Sequence, residues 1–391
     1  MTTPWLTLIG IGEDGRAGLS VAAMAALDGA EVVFGGPRHL ALAGTGGRQW
    51  PLPFAVDPVL AERGRRVVVL ASGDPFWHGA GGALMAHLAP GEWISHPAPS
   101  TFQLAANRLG WRLEDTLCLG LHAAPFARLR AVLSGETRAI CLLRDGAAPA
   151  ALAAWLRDTG FADTAMTVMQ ALGGPRERIH ATHARTFDLT GIAAPVAVAL
   201  HPAPGSGLPR SAGLPDDAFA HDGQITRAPI RALTLSALAP RAGAHLWDLG
   251  AGSGSVSVEF VLAGGRATAV EMRADRVANI RRNATAFGVE HRMTVVEGTA
   301  PGALAGLAQP DAVFVGGGCD GALLTHLWDI LPPGTTLVVN AVTLDTEALL
   351  IRWHGRHGGT LWHFAVAEVQ PLGRLRGWQP ARPVVQWRVT R

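Results

Sequence analysis

Short apolar runs alternate with glycine- and proline-containing turns and alanine-rich segments along the first half of the chain. WLTLIGIG, EVVFGG, RVVVLASGDP and AICLLRDG have the length and composition of buried strands that end in loops. GLSVAAMAALDGA and ALMAHLA are typical of the helices between such strands. Strands and helices that alternate in this way pack as layers, so the pattern predicts an α/β domain over residues 1–201.

The segment PAPGSGLPRSAGLPDDAFAHD, residues 202–222, interrupts this alternation. It is rich in proline, glycine, serine and alanine, and its apolar residues follow no helical or strand period. Such a composition is typical of a connection between domains. We therefore predict a linker over residues 202–222 and a second domain over residues 223–391.

The second domain repeats the α/β pattern and then departs from it. APIRALTLSALA predicts a helix, and a series of strands with helix-length spacers follows it: HLWDLGAG, RATAVEM, MTVVEG, DAVFVGGG and TTLVVNAV. At the end of the chain LWHFAVAEVQPLGR and PVVQWRVTR lie close together without a helix between them. They predict an antiparallel pair, which gives a Rossmann-like domain with a mixed seven-stranded sheet.

Composition agrees with a globular protein of two domains. The chain has 391 residues, of which 48% are hydrophobic and 16% charged, so it has enough apolar residues for more than one core. Its apolar runs are too short to cross a membrane, and the MTTPWLTLIG segment lacks the basic region of a secretory signal. Cys118, Cys141 and Cys319 have no metal-ligand spacing. We expect a cytoplasmic protein with no metal and no membrane partner.

The charge distribution argues against a nucleic-acid partner. The formal net charge is +2, and every basic side chain is arginine because the sequence contains no lysine. No basic run resembles a nucleic-acid-binding arm. Guanidinium groups suit carboxylates and phosphates, although the codon usage of a GC-rich genome explains the same composition.

A glycine-rich loop connects the first strand of the second domain to a helix. Asp248 precedes Gly250, Gly252 and Gly254, and the next strand ends in Glu271. Glycines let backbone approach a ligand at the carboxyl end of a sheet, and an acid after the second strand can accept hydrogen bonds from ribose hydroxyls. The alternative is a tight turn with an exposed acidic helix cap, but the two features in series favour a ligand site.

The D-x-G-x-G-x-G spacing of this loop resembles that of the class I S-adenosylmethionine-dependent methyltransferases. QITRAPIRALTLSAL, EGTAP and NAVTLDTEALL further resemble the family that methylates C15 of precorrins and decarboxylates an acetate side chain. By this resemblance Asn340 and Thr343 face the substrate. It also implies these positions at the cofactor: Thr226, Asp248, Gly250, Ala251, Gly252, Ser253, Gly254, Glu271, Thr299 and Ala300.

The opening loop of the chain has a different character. GIGEDG fits the dinucleotide-binding pattern G-x-G-x-x-G in form. However, no acidic residue ends the next strand, so the second sequence feature expected of a dehydrogenase is missing. ASGDPFWHG, PAPSTFQLAANRLGW and QALGGPRERI together resemble the tetrapyrrole methyltransferases, in the branch that methylates C5 of precorrins. That resemblance implies two α/β lobes with both ligands between them. Asp74, Ser100 and Thr101 would then lie near the cofactor, and Gly10 and Gly12 near the substrate.

Each of these residues also has a structural interpretation. Asp74 before proline is a common turn pair, and Ser100 before a helix is an ordinary N-cap. His78 is more typical of a polar surface group than of a catalyst. Arg38 and His39 could bind a substrate carboxylate, but the sequence alone does not favour that role.

The order of the two resemblances is that of the bifunctional family that joins C5 and C15 methylation on one chain. It implies that precorrin-6B is converted to precorrin-8X in aerobic cobalamin biosynthesis, with loss of the C12 acetate carboxyl as carbon dioxide. It also implies one S-adenosylmethionine per domain, a tetrapyrrole partner and a homo-oligomer, and it assigns no catalytic residue. The alternatives are a methyltransferase of another substrate, such as RNA, with an N-terminal recognition domain, or a non-enzymatic nucleotide sensor.

Overall fold

The computed structural model of the protein describes residues 4–391, and residues 1–3 of the predicted first domain lie outside them. The chain divides into two compact units. The first contains the residues up to Phe126 together with Leu133–Gly207, and the second contains Ala127–Val132 and Leu208–Arg391.

The first lobe of unit one is built on a parallel sheet with strand order β2-β3-β1-β4. Alternate residues of its first strand enter different cores, because successive side chains of a strand point to opposite faces. Leu6 and Leu8 pack on one face, and Ile9 and Ile11 on the other. The elements of this lobe are β1 (Leu6–Ile11), α1 (Val21–Asp28), β2 (Val32–Phe34), α2 (Pro37–Ala43), α3 (Asp57–Leu60), β3 (Val67–Ser72), α4 (Gly81–Met85) and β4 (Trp93–His96).

The second lobe of unit one has a mixed sheet with strand order β5-β6-β9-β7-β8. Only β5 and β6 pair in parallel, and the other neighbours are antiparallel. The two sheets confirm the expected two-lobed α/β architecture. The elements of this lobe are α5 (Thr101–Leu109), β5 (Thr116–Gly120), β6 (Arg138–Leu143), α6 (Ala148–Asp158), β7 (Ala165–Gln170), β8 (Arg178–His183) and β9 (Val196–His201).

Unit two contains a seven-stranded sheet with strand order β12-β11-β10-β13-β14-β18-β15. All neighbours pair in parallel except those of β18, so the mixed seven-stranded sheet is confirmed. Leu246 and Trp247 illustrate its two buried faces, since they belong to separate cores. The elements up to the fifth strand of this sheet are α7 (Ala228–Leu238), β10 (His245–Leu249), α8 (Ser255–Leu262), β11 (Arg266–Glu271), α9 (Ala274–Ala286), β12 (Met293–Glu297), β13 (Ala312–Val315), α10 (Gly321–Ile330) and β14 (Thr336–Ala341).

The predicted antiparallel pair at the end of the chain is confirmed, but its first segment contains more than one strand. LWHFAVAEVQPLGR is not one strand, because it contains the end strand of the large sheet and the first strand of a separate hairpin. The last strand of the chain inserts between the fifth strand and that end strand. The elements of this region are α11 (Leu344–His357), β15 (Thr360–Phe364), β16 (Ala367–Leu372), β17 (Leu375–Pro380) and β18 (Val384–Thr390).

The predicted linker contributes to both units. Residues up to Gly207 belong to unit one, where the carbonyl of Ser206 accepts a hydrogen bond from the N–H of Gly135 (2.9 Å). Leu214 and Phe219 are buried in a core of unit two. The second part of this segment is therefore packed against unit two.

Candidate active site

The glycine loop of unit two lies between β10 and α8, at the carboxyl end of the parallel sheet. Gly250, Gly252 and Gly254 all have positive φ, at 67°, 59° and 72°. A Cβ atom on Gly250 would lie 2.7 Å from the carbonyl oxygen of Gly317, whereas one on Gly252 would meet only the carbonyl oxygen of Gln224, at 3.5 Å. The loop thus needs glycine for its backbone conformation, and it leaves open space at Gly252.

Glu271 ends β11 beside this loop and is only 3% exposed. One carboxylate oxygen accepts the N–H of Gly252 (2.9 Å), and the other accepts the N–H of Arg273 (3.1 Å). The interpretation of Glu271 as an exposed helix cap is therefore wrong. Each oxygen keeps a further lone pair for a hydroxyl donor.

Asp248 is buried below the loop. One carboxylate oxygen accepts hydrogen bonds from the hydroxyl and the N–H of Ser257, at 2.7 Å and 3.2 Å. The other oxygen, Oδ1, has no hydrogen-bond partner among the described residues, and neither has the buried hydroxyl of Ser253. Burial raises the pKa of the Asp248 carboxyl to about 6; the bonds from Ser257 oppose the rise, and the charge of Glu271 adds to it.

Three other predicted cofactor positions surround this loop. Thr226 precedes α7 and is half-buried, and its carbonyl accepts a hydrogen bond from the buried Arg231. Thr299 and Ala300 follow β12, the strand next to the one that ends in Glu271. The N–H of Gly298 donates to the carbonyl of Glu271 (3.0 Å), which holds the two strand ends together.

The two predicted substrate residues of unit two lie in different settings. Asn340 belongs to a hydrogen-bonded triad, in which its amide donates to Thr234 (3.0 Å) and accepts from Gln386 (2.9 Å). Thr343 is exposed and caps α11 by accepting the N–H of Thr346 (3.3 Å). Sequence reasoning missed Thr234 and Gln386, because only the register of β14 with β18 brings Gln386 opposite Asn340.

In unit one, the predicted residues converge on one point between the lobes. A Cβ atom on Gly10 would lie 1.7 Å from the carbonyl oxygen of Gly73, and one on Gly73 (φ 56°) would lie 2.7 Å from Cα of Ser100. Only glycine allows three backbone segments to approach this closely. The structure therefore brings the opening loop, the Gly-Asp-Pro turn and the start of α5 together.

Asp74 and Ser100 also have the structural roles expected of them, in a turn and at a helix N-terminus. Asp74 accepts the N–H of Phe76 (2.8 Å) as a turn residue. Ser100 caps α5 in a capping box with Gln103 and is followed by Thr101. A Cβ atom on Gly12 would lie 2.6 Å from the carboxylate of Asp14, so this glycine also shapes the turn.

A cavity of about 330 Å³ opens at this convergence. His78, which sequence reasoning interpreted as a surface group, lies on its wall together with His39 and His122. Burial lowers the pKa of His78, and the neighbouring His122 adds to the effect. No spacing in the sequence links these histidines, which come from separate segments. The cavity is lined by His39, Trp50, Phe54, Leu70, Ala71, Ser72, Trp77, His78, Gly79, Ala80, Ser100, Thr101, Phe102, His122 and Leu142.

The described residues 4–391 contain neither a metal-binding cluster nor a membrane-spanning helix. No group of three or more histidine, cysteine, aspartate or glutamate side chains is arranged to hold a metal ion. Within the same range, no helix combines the length and the apolar composition that a membrane span requires.

Comparisons with known proteins assign the chain to a family. A family model described as tetrapyrrole (corrin/porphyrin) methylases matches residues 5–188, and one described as precorrin methyltransferase domain matches residues 217–391. Precorrin-6Y C(5,15)-methyltransferase (decarboxylating) from Sinorhizobium sp is 47% identical over 404 residues, which cover 100% of this chain and 97% of that protein. The chain belongs to this family.

A second family member also aligns over nearly the whole of both chains. The protein of that name from Mycobacterium tuberculosis (strain ATCC 25618 / H37Rv) is 40% identical over 405 residues, with 99% of this chain and 100% of that protein covered. A solved C-terminal domain of precorrin-6Y C5,15-methyltransferase from Rhodobacter capsulatus is 56% identical, with a TM-score of 0.47, and covers 47% of this chain and 100% of that chain. The predictions of a methyltransferase and of its family are thus confirmed.

Proposed function

We propose that this chain methylates precorrin-6B at C5 and C15 and decarboxylates the C12 acetate, giving precorrin-8X in aerobic cobalamin biosynthesis. The observation that carries the proposal is the match, over the full chain, to relatives named for both methylations and for decarboxylation. The two family models match separate parts of the chain. We therefore assign C5 methylation to unit one, and C15 methylation and decarboxylation to unit two.

We also propose domains over residues 1–201 and 223–391. The two compact units adjoin in sequence at Gly207 and Leu208, inside the proposed linker of residues 202–222. This position supports two domains whose chemistry is separable.

The glycine loop of unit two fits S-adenosylmethionine. Gly252 leaves space for a ligand, and Asp248 Oδ1 and Ser253 Oγ are buried polar atoms that have no hydrogen-bond partner within residues 4–391. A ligand with ammonium and hydroxyl donors would satisfy such groups, because unpaired buried polar atoms are costly. We propose that Glu271 accepts hydrogen bonds from the ribose hydroxyls and that Thr299 and Ala300 contact the adenine. The whole cofactor set is Thr226, Asp248, Gly250, Ala251, Gly252, Ser253, Gly254, Glu271, Thr299 and Ala300.

A second S-adenosylmethionine is assigned to unit one, beside Asp74, Ser100 and Thr101. Ser100 and Thr101 line the cavity between the lobes, which is the feature that fits a ligand there. Gly10 and Gly12 are assigned to the substrate side. The proposal gives one cofactor per unit.

The chemistry requires little more than alignment from the protein. S-adenosylmethionine, when bound, supplies a methyl group already activated as a sulfonium. The side chains around each site then hold the ring carbon in line with that methyl group and exclude water. For decarboxylation the conjugated macrocycle can accept the electron pair, and Asn340 and Thr343 are assigned to hold the substrate.

We further propose that the protein is a homo-oligomer. The hairpin β16–β17 forms a two-stranded sheet of its own, and an isolated hairpin is marginally stable in water. Leu372, Leu375 and Trp378 on this hairpin are 69%, 76% and 72% exposed. A second copy of the chain would cover these side chains, which would remove apolar surface from water.

We place the enzyme in the cytoplasm, where thiols stay reduced. All three cysteines are free. Burial raises the pKa of the Cys141 thiol to about 12, so this side chain behaves as an inert core residue.

The test is anaerobic incubation of the purified chain with precorrin-6B and methyl-labelled S-adenosylmethionine, followed by mass spectrometry of the tetrapyrrole. We expect a product that carries two labelled methyl groups and lacks one carboxyl group. Product that carries one label would restrict the activity to one unit. Transfer of label to RNA but not to precorrin-6B would contradict the proposal and favour the alternative methyltransferase.

A further inference from the structure

Several segments of unit one meet at the carboxylate of Glu13, a residue of the opening loop whose side chain is 6% exposed. Arg38 from α2 donates to one of its oxygens, and Arg176 from the turn after β7 donates to the other (3.0 Å). Both arginines also form ion pairs with Glu13 by these contacts.

The cluster of Glu13, Arg38 and Arg176 contains one carboxylate and two guanidinium groups, so its net charge is +1. A single guanidinium is enough to neutralise a buried carboxylate, yet Glu13 has two. The side chain of Arg38 is 37% exposed and that of Arg176 is 63% exposed. Arg176 donates a side-chain hydrogen bond to Glu13 alone among the described residues, so most of its N–H groups face solvent.

The turn that carries Arg176 is held tightly against the opening loop. A Cβ atom on Gly174 would lie 2.5 Å from Cβ of Glu13, and 2.7 Å from its carbonyl oxygen. Ala171, at the start of the turn, has a positive φ of 46°, which is a costly conformation for a residue with a Cβ atom. Strained backbone of this kind is typical of functional sites. The close approach of the backbone at Gly174 to Glu13 thus places Arg176 within hydrogen-bond distance of the Glu13 carboxylate.

The cluster also borders the cavity between the lobes. Arg38 donates to Ser72, and His39 Nε2 lies 2.8 Å from the same hydroxyl. Ser72 and His39 both line the cavity, and His39 Nδ1 is buried without a partner among the described residues. Burial lowers the pKa of His39 to about 4, and the positive charge of Arg38 contributes to this decrease. The ring of His39 is therefore neutral at physiological pH.

We propose that Arg38 and Arg176 together form a binding site for one carboxylate side chain of the macrocyclic substrate at the C5 methylation site. The inference rests on the proposed function, because a substrate that is decarboxylated must carry carboxylates. The paired guanidinium groups offer forked donors and one unneutralised charge, and Glu13 holds both in place. The site orients the macrocycle and transfers no proton.

The first experiment compares the full-length protein with its Arg176→Gln variant in C5 methylation of precorrin-6B. We expect KM for precorrin-6B to rise about 10- to 100-fold, because hydrogen bonds to charged groups are strong, while the affinity for S-adenosylhomocysteine stays unchanged. Arg176→Lys should recover part of the loss, since it keeps the charge. Arg185→Gln is the matched control, because Arg185 forms an exposed ion pair with Asp163 (2.8 Å). A KM within twofold of the wild-type value in Arg176→Gln would overturn the site.

A second measurement does not depend on turnover, so it separates this inference from the proposed function. A porphyrin with free carboxylates and its methyl ester are titrated into the full-length protein, with fluorescence as the readout. The wild-type protein should bind the acid more tightly than the ester, and Arg176→Gln should reduce that ratio about 10-fold or more. An unchanged ratio would overturn the inference even if the enzyme is active. A reduced ratio would support it even if precorrin-6B is not the substrate.

Discussion

Asp248 is a single residue whose burial affects the stability of the folded protein. Its carboxyl is fully buried, and in the part of the chain that the structure describes only one of its oxygens accepts hydrogen bonds, both from Ser257. The folded protein therefore holds a proton on this group more tightly than the unfolded chain does, and its pKa rises from 3.8 to about 6. Between these pH values the folded state binds more protons, so stability falls as the pH rises.

The first prediction follows from this raised pKa. Asp248→Asn should stabilise unit two at pH 8 by on the order of 2–3 kcal/mol, since a neutral amide avoids the cost of the buried charge. The gain should disappear near pH 4, where the wild-type carboxyl is also neutral in the folded state. Thermal unfolding of both proteins across this pH range measures the effect.

The control for this measurement is Asp320→Asn, because Asp320 is an exposed cap of α10. It should show no comparable gain at pH 8. A stability difference for Asp248→Asn that is constant from pH 4 to pH 8 would contradict the assignment of the raised pKa.

The second prediction concerns Gly252. Gly252→Val should abolish binding of S-adenosylhomocysteine in unit two, because the new side chain would enter the open space of the loop and would require a left-handed backbone. Calorimetry of the full chain should show the loss of this site alone. Gly243→Val serves as the matched control, because Gly243 also has positive φ and has open space around it outside the loop. Equal losses in both variants would indicate general unfolding.

Local spacing in the sequence was enough to find some of these residues. Asp248 is the second-to-last residue of its strand and Glu271 ends the adjacent strand, and the position of a strand end can be predicted from an apolar run. The partners of Asn340 were not readable, because Thr234 and Gln386 lie far from it in the sequence and reach it through sheet register. For the same reason the spacing of glycines did not reveal Arg176 beside Glu13.

At the scale of elements, Arg231 connects α7 to the segment that precedes it. Its side chain is completely buried, and it forms ion pairs with Glu259 (2.6 Å) of α8 and with Asp216 (2.9 Å). It also donates to the carbonyls of Leu214 and Thr226. One residue thus anchors the second part of the predicted linker and the Thr226 end of the proposed cofactor site.

The third prediction tests this anchor. Arg231→Met should destabilise unit two by about 3–5 kcal/mol, because it leaves the carboxylate of Glu259 buried without its countercharge. Hydrogen exchange measured by mass spectrometry should accelerate first over residues 213–226. Arg227→Met is the matched control, since Arg227 forms only an exposed, longer contact with Asp216 (3.4 Å). Unchanged exchange over residues 213–226 would show that other contacts hold the segment.

The fourth prediction concerns the hairpin β16–β17. Trp378→Lys should lower the molar mass found by light scattering toward that of a single chain, because it places a charge in the proposed interface. Val21→Lys is the control, since Val21 is also an exposed apolar residue (89%) but lies on α1. A wild-type protein that is itself monomeric would rule out the homo-oligomer.

The hairpin also shows which elements a hydrophobic pattern can and cannot predict. The strands of the seven-stranded sheet are buried and appear as apolar runs, as in TLVVNA of β14. Every residue of β16 is exposed, so its polar and apolar residues do not mark where β15 ends. The boundary between β15 and β16 is defined by their different pairing, since β15 pairs with β18 and β16 pairs with β17.

At the scale of the whole molecule, each unit has its own core and its own candidate site. The glycine loop with Asp248 and Glu271 lies in unit two, and the cavity with Ser100 lies in unit one. Because each candidate site lies within one unit, we expect the two units to bind their cofactors independently.

The fifth prediction is therefore a count of sites. Titration of S-adenosylhomocysteine into the full chain by calorimetry should give two sites per chain. Asp74→Ala should weaken the site of unit one and leave that of unit two unchanged, whereas Gly252→Val should do the reverse. One site in the wild-type protein, lost in Gly252→Val, would leave unit one with a role in holding substrate. Loss of both sites in Asp74→Ala would contradict separable units.

The amino-acid sequence alone is enough to predict the α/β class, the strand ends near which Asp248 and Glu271 lie, and the glycine loops. It is also enough to predict the family, because the order of two sets of motifs covers nearly the whole chain. These features depend on local spacing, which a chain retains whether or not it is folded.

Which distant residues meet depends on the folded structure. It placed Arg38 and Arg176 on Glu13, divided the predicted linker between two units and separated a hairpin from the large sheet. The physical reason is that packing and sheet register join residues far apart in the sequence, and no local period records those contacts.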